Sequence, residues 1–186
     1  MAQIRDDKEA LDLANLFIES GTLAFLQGQK RPKEILNADP KQHLTKAPLA
    51  VLVNQGTAGP AEIVAGAIAD NQRGQVIGVK TFGAGSVQKL IPLDEGYGLL
   101  ISVAKYFTPS GKEIQEVEPQ DSGIKPTIEM RQVSEEAIDL NDDQTEVQPP
   151  AKEPAKEPAK EEDRQLNKAI EILKDPSKIS ATKKAA

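Results

Sequence analysis

The sequence predicts an α/β domain, and three observations carry that expectation. Leu49–Val53 is an unbroken apolar run that ends in a turn of small and polar residues, Asn54-Gln55-Gly56-Thr57-Ala58-Gly59. A helical segment starts at Pro60 and leads to a second apolar run at Gln75–Val79. A glycine-rich loop, Thr81-Phe82-Gly83-Ala84-Gly85, follows. Two short apolar runs joined by a helix read as parallel strands with a crossover between them. The turn and the helix start aim backbone N–H groups at one region, which is where such a unit places its chemistry.

The elements follow in order. Residues 9–19 carry Ala10, Leu13, Ala14, Phe17 and Ile18 at helical spacing, and Ser20-Gly21 ends that helix. Thr22–Leu26 is a short strand-like run, with Ile35-Leu36 as its hairpin return after a polar turn at Gln27–Arg31. Asn37–Pro48 is a loop that holds His43, which reads as a solvent-facing residue. Leu49–Val53 has the continuous apolar character of a strand covered on both faces. Gly59 is a permissive N-cap, Pro60 suits the first helical position and Glu62 the third. The small residues of Ala61–Asp70 suit a helix lying close on a sheet, and Asn71–Gly74 closes it. Three further strands are expected at Val87–Leu93, Gly98–Phe107 and Thr127–Met130. Asp94-Glu95-Gly96 is the turn between the first two, and Thr108-Pro109-Ser110-Gly111 is a second turn.

Composition places the fold in the first two thirds of the chain. Hydrophobic residues make up 38% of the 186, too few for a chain that is folded throughout. The net charge of −6 is uneven: residues 1–132 carry −2, residues 133–163 carry −8 and residues 164–186 carry +4. The expected division is a core domain at 1–131, an acidic proline-bearing linker at 132–163, a short amphipathic helix at 164–175 and a basic tail at 176–186. The linker repeats Ala-Lys-Glu-Pro at 151–154 and 155–158 and reads as disordered. Leu166, Ala169, Ile170 and Leu173 give the helix its apolar side. It is either a marginal helix in a solvated tail or a docking helix.

Several functions are excluded or unsupported. With no cysteine and a single histidine, the chain has no disulfide, no thiol nucleophile, no Cys-ligated zinc and no multi-His metal site. No basic stripe with interleaved aromatics suggests nucleic acid. No apolar run is long enough to span a membrane, and no signal peptide follows Met1.

The central unit resembles the C-terminal processing, or tail-specific, peptidases. The resemblance rests on Val51-Leu52-Val53-Asn54, Gly56-Thr57-Ala58 and Glu62–Ala67, then on Val76-Ile77-Gly78, Lys80–Gly83, Gly85–Gln88 and Pro92-Leu93. It continues through Tyr106–Gly111, Ile114-Gln115 and Gly123–Pro126, all in the family's order and covering about residues 4–131. It implies a crotonase-like (ClpP/crotonase-type) core of strands with crossover helices, followed here by a disordered tail. It also implies serine-type peptide hydrolysis by a Ser/Lys dyad, with no cofactor and no metal. A hydroxyl at a strained turn attacks, a buried lysine takes the proton, and backbone N–H groups hold the oxyanion.

Both dyad positions are substituted. The family's serine stands three residues before the helix glutamate, which is Glu62 here, and that position is Gly59. The family's lysine lies 25 residues further on, and that position is Ala84; the accompanying glutamine is retained as Gln88. The expectation is therefore a pseudopeptidase that binds an extended peptide or a protein C-terminus. Its peptide-binding and oxyanion region would be Gly56, Thr57, Ala58, Gly59, Gly83 and Gly85. An active enzyme with a displaced nucleophile, Thr57 with Lys80, is the alternative. Against it, Thr57 suits a bond within the turn and Lys80 a solvated loop charge. Ser86 is a further hydroxyl, with no base evident near it, and Glu62 is explained by the helix start. A third reading is an assembly module acting through the 164–175 helix. The family's PDZ domain is not expected in this chain, which starts inside the core. A strand expected before Arg5-Asp6 is missing, and a second copy or a partner chain would cover the edge it leaves. The resemblance points to the bacterial periplasm or envelope, or the plastid lumen.

Overall fold

The computed structural model of the protein describes residues 7–132 and 163–175. In chain order the elements are α1 (Asp7–Phe17), β1 (Thr22–Gly28), β2 (Arg31–Asn37), β3 (Ala50–Val53), α2 (Pro60–Asp70), β4 (Gln75–Gly78), β5 (Ser86–Pro92), β6 (Gly98–Phe107), β7 (Ile128–Glu129) and α3 (Arg164–Lys174). A single 3₁₀ turn, Asp94–Gly96, joins β5 to β6.

The two apolar runs form the parallel pair that the crossover requires. Val51 lies beside Val76 and Val53 beside Gly78. β7 adds to β4 in parallel, giving a three-stranded sheet in the order β3-β4-β7. The remaining strands form a four-stranded antiparallel sheet in the order β2-β1-β6-β5. Here β5 and β6 are a hairpin, and β1 meets only the end of β6, pairing Phe25 with Phe107, Leu26 with Tyr106 and Gln27 with Lys105.

One core cluster sits between α1, α2 and the two sheets, with Ala14, Leu26, Ile68 and Val76 among its buried members. Small residues let α2 lie close: Ala65 and Ala67 are fully buried. Burial of this apolar surface is the main favourable term for the fold. A smaller cluster on the other face of the parallel sheet joins Ala169 and Ile172 of α3 to Ile77, with Ala50, Ile128 and Met130 packed around them. α3 is anchored at its start by Gln165, whose side-chain amide donates to the Met130 carbonyl at 2.8 Å.

Two expectations need correction. The first helix already includes Asp7 and ends at Phe17, where residues 9–19 are expected; Asp7 is buried and its carboxylate accepts from the Tyr106 hydroxyl. β3 has cover on both faces, but on one of them it is incomplete. Among the described residues β3 is an edge strand; Ala50 packs under α3, but Leu52 on the same side stays 41% exposed. An edge strand has one sheet neighbour, and a single short helix cannot close over its outer side. The expected linker, tail and N-terminal strand fall on residues outside the described ones, except where α3 and the residues beside it are seen.

Candidate functional site

The site is built on the turn that leaves β3. Asn54 organises it: its side-chain Oδ1 accepts from the Gly56 N–H at 2.9 Å and its carbonyl from the Thr57 N–H at 3.0 Å. The Asn54 N–H in turn donates to Thr57 Oγ1 at 3.1 Å. This is the local side-chain chemistry that makes Asn and Thr turn formers.

Gly59 then adopts φ 58° and ψ −121°. That is the mirror image of the first central position of a type II turn, a conformation that favours glycine. Pro60 enters the helix at its first turn with no N–H to satisfy. Glu62 follows at the third helical position. Its backbone N–H donates to the Gly59 carbonyl at 3.0 Å, and its carboxylate accepts from the Gly59 N–H at 2.9 Å.

The Glu62 side chain does more than cap the helix, which corrects the expectation that the helix start alone explains it. It is fully buried, and four donors converge on its two oxygens. Oε1 accepts from Thr81 Oγ1 at 2.5 Å and from the Gly83 N–H at 2.7 Å. Oε2 accepts from the Gly59 N–H at 2.9 Å and the Ala84 N–H at 2.7 Å. Thr81 is fixed on its other side, where its Oγ1 accepts from the Ile124 N–H at 2.7 Å. The Phe82 N–H donates to the Thr57 carbonyl at 2.9 Å. One buried carboxylate thus joins the β3–α2 turn to the glycine loop.

Glycine is required in the loop for space. Gly83 has φ +97°, and a Cβ there would lie 2.5 Å from the Ser122 Cβ. Between the arms of this clamp, a Cβ built on Gly59 would meet the Ala84 carbonyl oxygen at 3.8 Å, an ordinary contact distance. The Gly59 and Ala84 positions are therefore brought together. The N–H groups of Gly56, Gly59 and Gly83 all bond within the fold. Those of Ala58 and Gly85 have no acceptor among the described residues.

The fallback candidates are placed differently. Thr57 is held in its turn, as above. Lys80 donates its ammonium to the Gln120 carbonyl at 2.6 Å. Gln88 is exposed on β5, in register with Ser102. His43 is in the loop before β3 and takes no part in the clamp.

Sequence reading missed Lys105. The β5–β6 register sets Lys105 directly opposite Ser86, so a base-type side chain does stand beside that hydroxyl's position. The ammonium is already engaged, however. It pairs with Glu113 at 2.7 Å and donates to the Gln115 carbonyl at 3.0 Å. The hairpin itself carried the signal: counting back from the Asp94–Gly96 turn brings Ser86 to Lys105 within one residue. Phe82 was a second omission. It projects from the clamp loop with 68% of its surface exposed.

The comparisons bear on this same frame. The chain is 37% identical over 129 residues to a carboxyl-terminal-processing protease of Synechocystis, covering 68% of this chain and 30% of that protein. It is 39% identical over 126 residues to a carboxy-terminal-processing protease of Bartonella bacilliformis, covering 67% and 28%. Among solved structures, the photosystem II D1 C-terminal processing protease superposes with a TM-score of 0.58 at 32% identity, over 67% of this chain and 31% of that one. The chain therefore spans less than a third of the length of these relatives. No helix among the described residues is long and apolar enough to cross a membrane. The match to Peptidase family S41 runs over residues 6–130, which contain the β3–α2 turn, the Glu62 clamp and the glycine loop, and on that match the chain belongs to Peptidase family S41.

Proposed function

We propose that this chain is a C-terminal processing peptidase domain that binds an extended peptide or a protein C-terminus without cleaving it through a Ser/Lys dyad. The observation that carries this reading is the shared oxygen of Glu62. The Gly59 turn and the Ala84 loop are both bonded to it, so the frame is held while neither position has a reactive side chain. Glycine supplies no nucleophile and alanine no base. The adjoining surface suits an extended chain. Among the described residues β5 is the outer strand of its sheet and starts at Ser86, directly after the loop, so this edge offers backbone groups for strand addition. Exposed Phe82 beside it would take an apolar side chain.

The displaced dyad, Thr57 with Lys80, is less well supported. The Thr57 oxygen accepts a turn N–H and the Lys80 ammonium is bound at Gln120. The assembly reading has mixed support: α3 packs on its own sheet through Ala169 and Ile172, and of the apolar side expected from the sequence only Ala169 is buried, while Leu166, Ile170 and Leu173 stay exposed.

The test is paired. Binding of fluorescent peptides with apolar C-termini is followed by anisotropy, and digestion of casein is followed on the same preparation. Saturable binding weakened by Phe82→Ser, with casein intact, is the expected result. Casein cleavage lost in Thr57→Ala or Lys80→Ala would overturn the reading in favour of the displaced dyad.

A further inference from the structure

The β5–β6 hairpin outgrows the sheet that supports it. β1 pairs with β6 only as far as Lys105, and Gly28 then lies against the Val103–Ala104 backbone, where a Cβ would be 2.2 Å from the Val103 carbonyl oxygen. From Ser102 to Gly98, β6 is paired with β5 alone, and among the described residues its other edge is open. A two-stranded ribbon is marginal in water unless something covers it.

This ribbon is also apolar on both faces. Leu90 and Leu100 are partners on one face, and Ile91 and Leu99 are partners on the other, next to the Lys89–Ile101 pair. Leu99, Leu100 and Ile101 are 47%, 49% and 37% exposed in succession. Open edges are normally protected by a charge, a proline or a bulge. Gly98-Leu99-Leu100-Ile101-Ser102 contains no charge and no proline, and the one irregularity in the β5–β6 register lies at its far end, between Val87 and Gln88.

We infer that this edge is the contact for a second copy of the chain, with the two β6 strands paired antiparallel about a two-fold axis through Leu100. The pattern is self-complementary under that operation, as an isologous contact must be. Leu100 meets its own counterpart, Leu99 meets Ile101, and Gly98 meets Ser102. No like charges are brought together, and apolar side chains fall into cross-strand pairs on both faces. The two antiparallel sheets then form one continuous sheet, and the apolar faces of both ribbons are doubled in width.

The occupant is tested on the full chain by sedimentation equilibrium across a concentration series, with Leu100→Lys as the disrupting variant. The expected result is a species of twice the 20.0 kDa of one chain. Leu100→Lys should raise its dissociation constant at least tenfold while leaving the far-ultraviolet circular dichroism unchanged. Because the chain has no cysteine, Leu100→Cys gives an independent readout. Antiparallel partners have Cα atoms about 4.5 or 5.5 Å apart, within disulfide range, so mild oxidation should give a covalent dimer. Val117→Cys, at an exposed site elsewhere, should give none. A wild-type chain that stays monomeric at every concentration would overturn the inference. So would association that Leu100→Lys leaves unchanged, or a Leu100→Cys chain that crosslinks no better than Val117→Cys.

Discussion

Gly59 and Ala84, 25 positions apart in the chain, donate their backbone N–H groups to one atom, Glu62 Oε2, at 2.9 and 2.7 Å. The separation of the Gly59 turn from the Ala84 loop is thus fixed by a side chain that belongs to neither. Glu62→Ala removes the acceptor for four donors at once. A buried donor left unpaired costs about 1–3 kcal/mol, so the variant should lose well over 3 kcal/mol. Glu62→Gln keeps one acceptor oxygen but turns an amide N–H₂ towards backbone donors, and it should recover little of that loss. Urea unfolding checks both: the midpoint should fall with an unchanged slope. A wild-type midpoint in either variant would show that the clamp is not structural.

Gly59→Ser has space but not conformation on its side. The nearest atom to the new Cβ would be the Ala84 carbonyl oxygen at 3.8 Å, so nothing clashes. The φ of +58° is the cost, about 1–3 kcal/mol for a non-glycine residue in a sparsely populated region. At this chain length each 1 kcal/mol lowers the melting temperature by about 2–4 °C. Gly59→Ser should therefore melt several degrees lower yet retain the native circular dichroism. Gly59→Ser combined with Ala84→Lys should show the same penalty without doubling it, since Ala84 is partly exposed and takes no part in that strain.

Gly83→Ala and Gly111→Ala separate strain from crowding. Both glycines have positive φ, +97° and +88°. A Cβ at Gly111 meets nothing within 4 Å, whereas one at Gly83 lies 2.5 Å from the Ser122 Cβ and 2.9 Å from the Gly123 N. Gly111→Ala should cost about 1 kcal/mol of strain, and Gly83→Ala should cost about 2–4 kcal/mol because overpacking is added to the strain. Paired thermal melts test this. Equal losses would mean that the 121–123 segment yields freely.

Much of the fold was legible because it is local. The apolar runs, the small-residue helix and the Gly59–Glu62 start signal each specify their own element, and the parallel pair follows from a helix between two short strands. The clamp was legible only in part. Glu62 reads as a capping residue because its partner Gly59 is three residues away, while Thr81, Gly83 and Ala84 are distant in sequence and act mainly through backbone N–H groups, which every residue carries. Leu49–Val53 reads as covered on both faces, and only the half-open Leu52 departs from that, because an apolar strand at the edge and one at the centre of a sheet share one pattern. The side of the parallel sheet that α3 covers could not be read either, since residues 132–163 give no periodicity to say where the helix returns.

The last prediction concerns α3, whose first turn depends on Asp163. Its Oδ1 accepts from the Leu166 N–H at 2.8 Å and from the Gln132 side-chain amide at 2.6 Å. These bonds, the backbone one first, hold its carboxyl below the usual aspartate range. A carboxyl lowered on folding contributes stability that is present above its unfolded value, about 3.9, and is lost as pH falls through the folded one. α3 should therefore lose hydrogen-exchange protection, corrected for intrinsic rates, as the solution is taken below about pH 4. Asp163→Asn keeps a cap acceptor that does not titrate, so its α3 should be less sensitive across the same range. Ile172→Ala separates the cap from the docking. Deleting a buried isoleucine ordinarily costs about 2–5 kcal/mol, but a short helix held by one small cluster can come away before that full loss is felt. The expected signature is loss of protection confined to α3 and the residues beneath it, Ala50 and Ile77, with the global unfolding midpoint nearly unchanged. A global midpoint that falls by the full cavity cost would instead make α3 an integral part of the cooperative core.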